Sequence, residues 1–200
     1  MRTDVITVSS NGKQMSAALE QVEKMASFKG LSSKGTLQLR LLTEEMMGMM
    51  RSITGEKEGQ FWIEDEDGVY QLHLRMNTIM DPAKREQLLG ASTSGKNEAA
   101  RGLMGRLRDF FDWGADGDAA GMSPLLLPDM YEHSSSPMLD WEWSMNRYET
   151  ALAAEVEQGR PGAKEAWDEL EKSVVKNVAD DVKVSIKSGT AELIILKQLA

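Results

Sequence analysis

The stretch from Thr36 to Ile53, TLQLRLLTEEMMGMMRSI, constrains the fold of this chain more than any other. At helical spacing Leu39, Leu42, Met46, Met49, Met50 and Ile53 gather on one side, and Arg40, Glu44, Gly48 and Arg51 on the other. The first side requires a core to cover it. The second offers an acid, a position without a side chain and two cations, which makes it either a solvated helix surface or the wall of a site. As a solvated surface it holds an Arg40/Glu44 pair worth only about 0.3 to 0.5 kcal/mol. As a wall it places a carboxylate at Glu44 where it can orient water beside a phosphate, with Gly48 one turn on to let a ligand approach the backbone.

Around this helix the chain alternates between strand and helix signals. Val5 to Val8 is a short β-branched run that predicts the first strand, and Asn11 opens a helix whose Met15, Leu19, Val22 and Ala26 form one buried stripe before Gly30 stops it. Phe61 to Ile63 and Val69 to Met76 predict two strands joined at Asp67-Gly68, a hairpin signal. In the second strand Tyr70, Leu72, Leu74 and Met76 alternate with Gln71, His73 and Arg75, so His73 falls on the polar face and reads as a solvated or satisfied histidine rather than a site residue. Asp81-Pro82 opens a short helix, AKREQLL; a glycine-punctuated polar loop then leads into a helix carrying Leu103, Leu107, Phe110 and Phe111.

From Trp113 to Met145 regular periodicity is lost. Trp141, Trp143 and Leu139 in that region either form a partner surface or close it onto the body of the protein. Helical spacing returns over Tyr148–Glu157 and Ala163–Val178, and the chain ends in a hairpin, where Val182, Val184 and Ile186 alternate with Lys183, Ser185 and Lys187 before AELIILK comes back. The expectation is a single α+β domain over 1–200 with an insertion at about 113–178.

Composition narrows the function classes. A net charge of -9 argues against a general nucleic-acid or anionic-membrane binder, because phosphate binding rests on clustered Lys and Arg. With no cysteine and two histidines, no thiolate nucleophile exists and no metal site is expected. No apolar run approaches the roughly 20 residues of a membrane span, and MRTDVITVSS lacks a signal-peptide apolar core, so a cytoplasmic protein is expected. The fourteen methionines, four of them among Met46, Met47, Met49 and Met50, read as adaptable core packing, with Met47 projecting away from the other three. Gly90 to Asn97 has the spacing of a P-loop, but Asn97 replaces the final Ser or Thr and helix rather than strand precedes it, which excludes that motif. The same segment can still handle phosphate through its amides, Lys96 and the helix start after Gly102.

Taken in order, these pieces resemble the GHKL ATPase superfamily of gyrase, ninety-kilodalton-class chaperones, histidine kinases and anti-sigma factors, over residues 1 to 112 and 179 to 199. LLTEEMMGMM is similar to the helix bearing that family's Glu and, four residues on, its Mg²⁺-binding Asn; Glu44 matches, and Gly48 stands where the Asn is expected. RMNTIMDP follows a strand as the family's D-x-G-x-G adenine segment does, with Asn77 for Asp and Ile79 for Gly. STSGK followed by GLMG resembles the nucleotide lid and its phosphate turn, matching at Thr93, Lys96, Gly102 and Gly105, and DDVKVSIKSGTAELIILK resembles the closing hairpin.

The resemblance implies a two-layer α/β sandwich, Bergerat-like, with a mixed sheet covered by helices on one face. It implies ATP or ADP as ligand, Glu44 as the catalytic position, and Gly48, Asn77, Thr93, Lys96, Gly102 and Gly105 as cofactor-binding positions. Without the Asn no Mg²⁺ ligand is expected at Gly48, so the implied protein is a regulator of anti-sigma or histidine-kinase-like type acting through a protein partner. An active ATPase or serine kinase, and a nucleotide-independent interaction module, are the alternatives.

Overall fold

The computed structural model describes residues 1–9, 12–54, 58–77, 141–187 and 190–199. Within them the order is β1 (Ile6–Ser9), α1 (Gly12–Lys29), α2 (Ser33–Thr54), β2 (Glu58–Glu66), β3 (Val69–Asn77), β4 (Trp141–Ser144), α3 (Met145–Glu157), α4 (Ala163–Glu171), α5 (Val174–Val178), β5 (Asp181–Lys187) and β6 (Thr190–Gln198). The fold is α+β. Six strands form one open sheet in the order β1-β2-β3-β6-β5-β4.

Every pairing between these strands is antiparallel, which corrects the expectation of a mixed sheet. The reason lies in the connections. β2–β3 and β5–β6 are each joined by only two residues, a link that reverses direction, and the two hairpins meet antiparallel along β3 and β6.

Register makes one face of the sheet apolar from edge to edge. Ile6, Phe61, Leu74, Leu193, Val184 and Trp143 stand opposite one another across all six strands. Ile63, Leu72, Ile195 and Val182 form the next row. Helices supply the other half of the same core through Ala18, Val22 and Met25 of α1, Leu39, Leu42, Met46 and Met50 of α2, and Tyr148 and Leu152 of α3. The segment expected as an insertion thus contributes, over 141–178, an edge strand and three helices to this core.

Local chemistry explains most boundaries. Asp67 and Gly68 both take positive φ (51° and 85°), the two-residue turn whose twist suits a hairpin. Gly30 ends α1 at φ 67°. The expected helix over Ala163–Val178 is two helices, because Ser173 accepts a hydrogen bond from the Lys176 amide and starts α5 afresh. Ser144 caps α3 in the same way through the Arg147 amide.

The segment before β1 also lies along β2. Arg2 bridges Glu64, and Thr3 exchanges hydrogen bonds with Ile63, its amide to the carbonyl and its hydroxyl from the amide, each at 2.9 Å. Since Ile6 pairs with Phe61, one extra residue is accommodated between Arg2 and Ile6, a bulge that bends the edge.

In α2 the buried face is wider than its sequence stripe. Met47, expected to point away, is buried, as is Thr43, whose hydroxyl donates to the Leu39 carbonyl at 2.8 Å. The sheet lies beneath α2, and α1 and α5 pack beside it, so only a narrow strip remains open.

Candidate functional site

Two contacts fix the direction of α2. A Cβ built on Gly35 near its start would meet the Leu199 side chain at 3.4 Å, and one built on Gly59 would meet the Met50 sulfur at 3.2 Å. Leu199 donates to the Gly68 carbonyl at the β2–β3 turn, whereas Glu58, beside Gly59, stands opposite Ser9 at the start of β2. The helix therefore runs along β3 in the same sense, from the hairpin turn toward the end of the sheet where Asn77 and Thr190 pair.

Glu44 and Gly48 lie on the half of α2 nearer that end, and both are exposed. Arg40 turns aside to Glu23 of α1 at 2.7 Å, so the Glu44 carboxylate does not depend on the i, i+4 partner anticipated for it. Apart from its chain neighbours and the backbone of its own helix, no heavy atom of the described residues lies within 4 Å of a Cβ built on Gly48. Asn77, the last residue of β3, is exposed at the same end. Thr93, Lys96, Gly102 and Gly105 lie outside the described residues. Of the six cofactor-binding positions, then, Gly48 and Asn77 are described; Asn77 alternates with buried Met76 and so shares the sheet face of His73 and Arg75, turned away from α2, and the structure does not bring it together with Glu44 and Gly48.

A different grouping holds the opposite end. The Lys29 ammonium pairs with the buried Asp65 carboxylate, whose other oxygen accepts from the Gly68 amide at 3.2 Å. The hydrogen bond from Lys29 holds the Asp65 carboxyl below the usual carboxylate range despite its burial, and the same bond raises Lys29. Burial and the neighbouring Asp65 push the Tyr70 phenol up. Close by, a cavity of about 330 Å³ opens among Leu31, Ser32, Lys34, Gln38, Lys197 and Leu199. Two of its polar groups are engaged in structure: Ser32 caps α2 through the Gly35 amide at 3.1 Å, and Lys197 pairs with Asp180 at 3.0 Å.

The face of the sheet turned away from the helices carries a third grouping. Trp62 and His73 stand opposite each other on β2 and β3 with rings stacked at 4.7 Å and 10°. The Arg2 and Arg75 guanidiniums lie 5.0 and 5.1 Å from the Trp62 ring centroid. His73 Nδ1 is 3.0 Å from Glu192 Oε1, and Arg75 donates to Glu192 Oε2 at 3.1 Å. Burial alone would raise the Glu192 carboxyl, but the hydrogen bonds from His73 and Arg75 outweigh it and hold the group below its ordinary value.

His73 is thus a satisfied histidine at Nδ1, as its place on the polar face suggested. Trp62 and Glu192 escaped notice in the sequence. Trp62 sits inside the apolar run Phe61-Trp62-Ile63, which masks its alternation, and Glu192 gives no local signal because its partners His73 and Arg75 lie far away in sequence.

Among the described residues no group of three or more His, Asp or Glu side chains is placed to hold a metal ion, and no helix is long and apolar enough to cross a membrane. No family model matches the chain, and no curated protein matches it.

Proposed function

We propose that this chain is a degenerate GHKL-type nucleotide-binding regulatory protein that works mainly through contacts with a protein partner and turns nucleotide over weakly or not at all. One observation carries the reading: Glu44 and Gly48 stand exposed one turn apart on α2, at the spacing of the family's Glu and Asn. The order of elements supports it, with strand, two helices and a hairpin first, and a closing hairpin, β5–β6, beside β3.

ATP or ADP is the ligand class. The Asn77 amide offers an acceptor and a donor to an adenine edge, but from the sheet face turned away from α2. Gly48 brings no side-chain oxygen ligand for Mg²⁺. Glu44 can polarise a water molecule, yet without a held metal the phosphate charge that hydrolysis develops goes largely uncompensated.

Thermal unfolding of the full chain with and without millimolar ATP or ADP and Mg²⁺ tests the reading. A ligand at 100 times its Kd adds about 2.7 kcal/mol to the native state, a shift easily read. A raised midpoint with no measurable turnover supports a regulator. Turnover abolished by Glu44→Ala with binding retained identifies an active ATPase or kinase instead, and no shift at millimolar nucleotide leaves a nucleotide-independent interaction module.

A further inference from the structure

The charge arrangement around His73 is unrelated to the nucleotide reading and has its own logic. Two carboxylates flank the imidazole, and each has one oxygen anchored elsewhere. Glu64 Oε1 accepts from Trp62 Nε1 at 2.9 Å and lies 3.5 Å from Arg2 Nε, while Glu192 Oε2 is held by Arg75 at 3.1 Å. The remaining oxygens face the ring: Glu192 Oε1 is 3.0 Å from Nδ1, and Glu64 Oε2 is 4.0 Å from Nε2. The histidine is buried, only 6% exposed, and Nε2 has no hydrogen-bond partner among the described residues.

A neutral imidazole carries one proton. With that proton on Nδ1, between the ring and Glu192, the Nε2 lone pair confronts a carboxylate oxygen, acceptor against acceptor. An imidazolium donates at both nitrogens, and Glu64 Oε2 is the group already waiting. We propose that His73 is a proton-operated clasp which, on protonation, ties β2 to β6 across β3 through Glu64 and Glu192.

The other charges around the ring set the balance. Arg2 and Arg75 oppose a further cation, but each is drawn to the far oxygen of a carboxylate, whereas the near oxygens point at the imidazole. Lys183 of β5 stands one strand beyond, in register with Ile194, which is itself opposite His73. The stacked Trp62 ring holds the imidazole plane in place and favours a cation on its face. The clasp spans the two central strand pairs on the side opposite α2, so protonation stiffens the sheet on which that helix rests.

The test compares the full chain with Glu64→Gln in chemical unfolding at pH 8.0 and pH 5.5. The introduced amide can donate to a neutral Nε2 and removes the demand for a proton. Between pH 8.0 and 5.5 the unfolding constant of the wild type is expected to fall about fivefold relative to that of the variant. An identical pH response in both proteins overturns the clasp. Nitrogen NMR of the His73 ring in the wild type, assigned by its loss in His73→Gln, decides independently of whether Glu64→Gln folds. A proton on Nδ1 alone at pH 8.0 and on both nitrogens at pH 5.5 upholds the proposal; a neutral ring protonated at Nε2, or one still neutral at pH 5.5, overturns it.

Discussion

Lys29, the last residue of α1, reaches across to the carboxylate of Asp65 near the end of β2, where the acid is buried and also accepts from the Gly68 amide. This pair fastens the first helix to the hairpin turn on which α2 begins. Lys29→Ala leaves a buried carboxylate without its cation and is expected to lower the thermal midpoint at pH 7 more than Lys24→Ala, which loses only the exposed pair with Glu20.

The pair also has a defined pH window. Asp65 is held below its usual value, so its contribution is full above about pH 4 and disappears as pH falls through the depressed value. Lys29 is raised, so its contribution is full below about pH 10 and disappears as pH rises through the raised value. The difference in stability between wild type and Lys29→Ala should therefore be flat through neutral pH and shrink in strong acid. A difference that grows on acidification contradicts the assignment.

Gly48 sits in the interior of an exposed helical strip, and a Cβ there meets no heavy atom of the described residues within 4 Å apart from its chain neighbours and the backbone of its own helix. Gly48→Ala removes the backbone entropy cost of glycine and should raise stability by roughly 0.5 to 1 kcal/mol in urea unfolding. A loss of stability would mean that this strip is covered by another part of the protein.

Gly68 has the opposite character. Its φ of 85° disfavours an L side chain, and a Cβ would come within 2.9 Å of the Leu199 carbonyl oxygen. Gly68→Ala should cost at least about 1 to 2 kcal/mol, and more if Leu199 cannot move. The same unfolding measurement checks it.

Leu152 of α3 is fully buried in the core shared by the sheet and α2. Leu152→Ala should destabilise the protein by about 3 kcal/mol and leave one cooperative transition, seen at the same midpoint by circular dichroism and tryptophan fluorescence. Two separated transitions would show that residues 141–178 unfold as a body of their own.

The sequence by itself determined the features whose causes are local. The two-faced character of α2, the Asp67-Gly68 turn, the alternation in β3 and β5, and the exposure of Glu44 and Gly48 all follow from side-chain period and backbone preference within a few residues. Even the position of His73 on the polar face could be read from its neighbours.

Only the tertiary structure decided what distant residues do to one another. The spacing of Met47 placed it outside the apolar stripe of α2, yet it is buried in the same core cluster as the stripe itself. Nothing local reveals that Trp143 continues the row begun by Ile6, that the sheet is antiparallel throughout its described strands, or that Glu64 and Glu192 flank His73. Periodicity tells each residue which face it occupies, but not which strand lies alongside; that choice is made by the summed burial of all strands and helices at once, and no short window of sequence contains it.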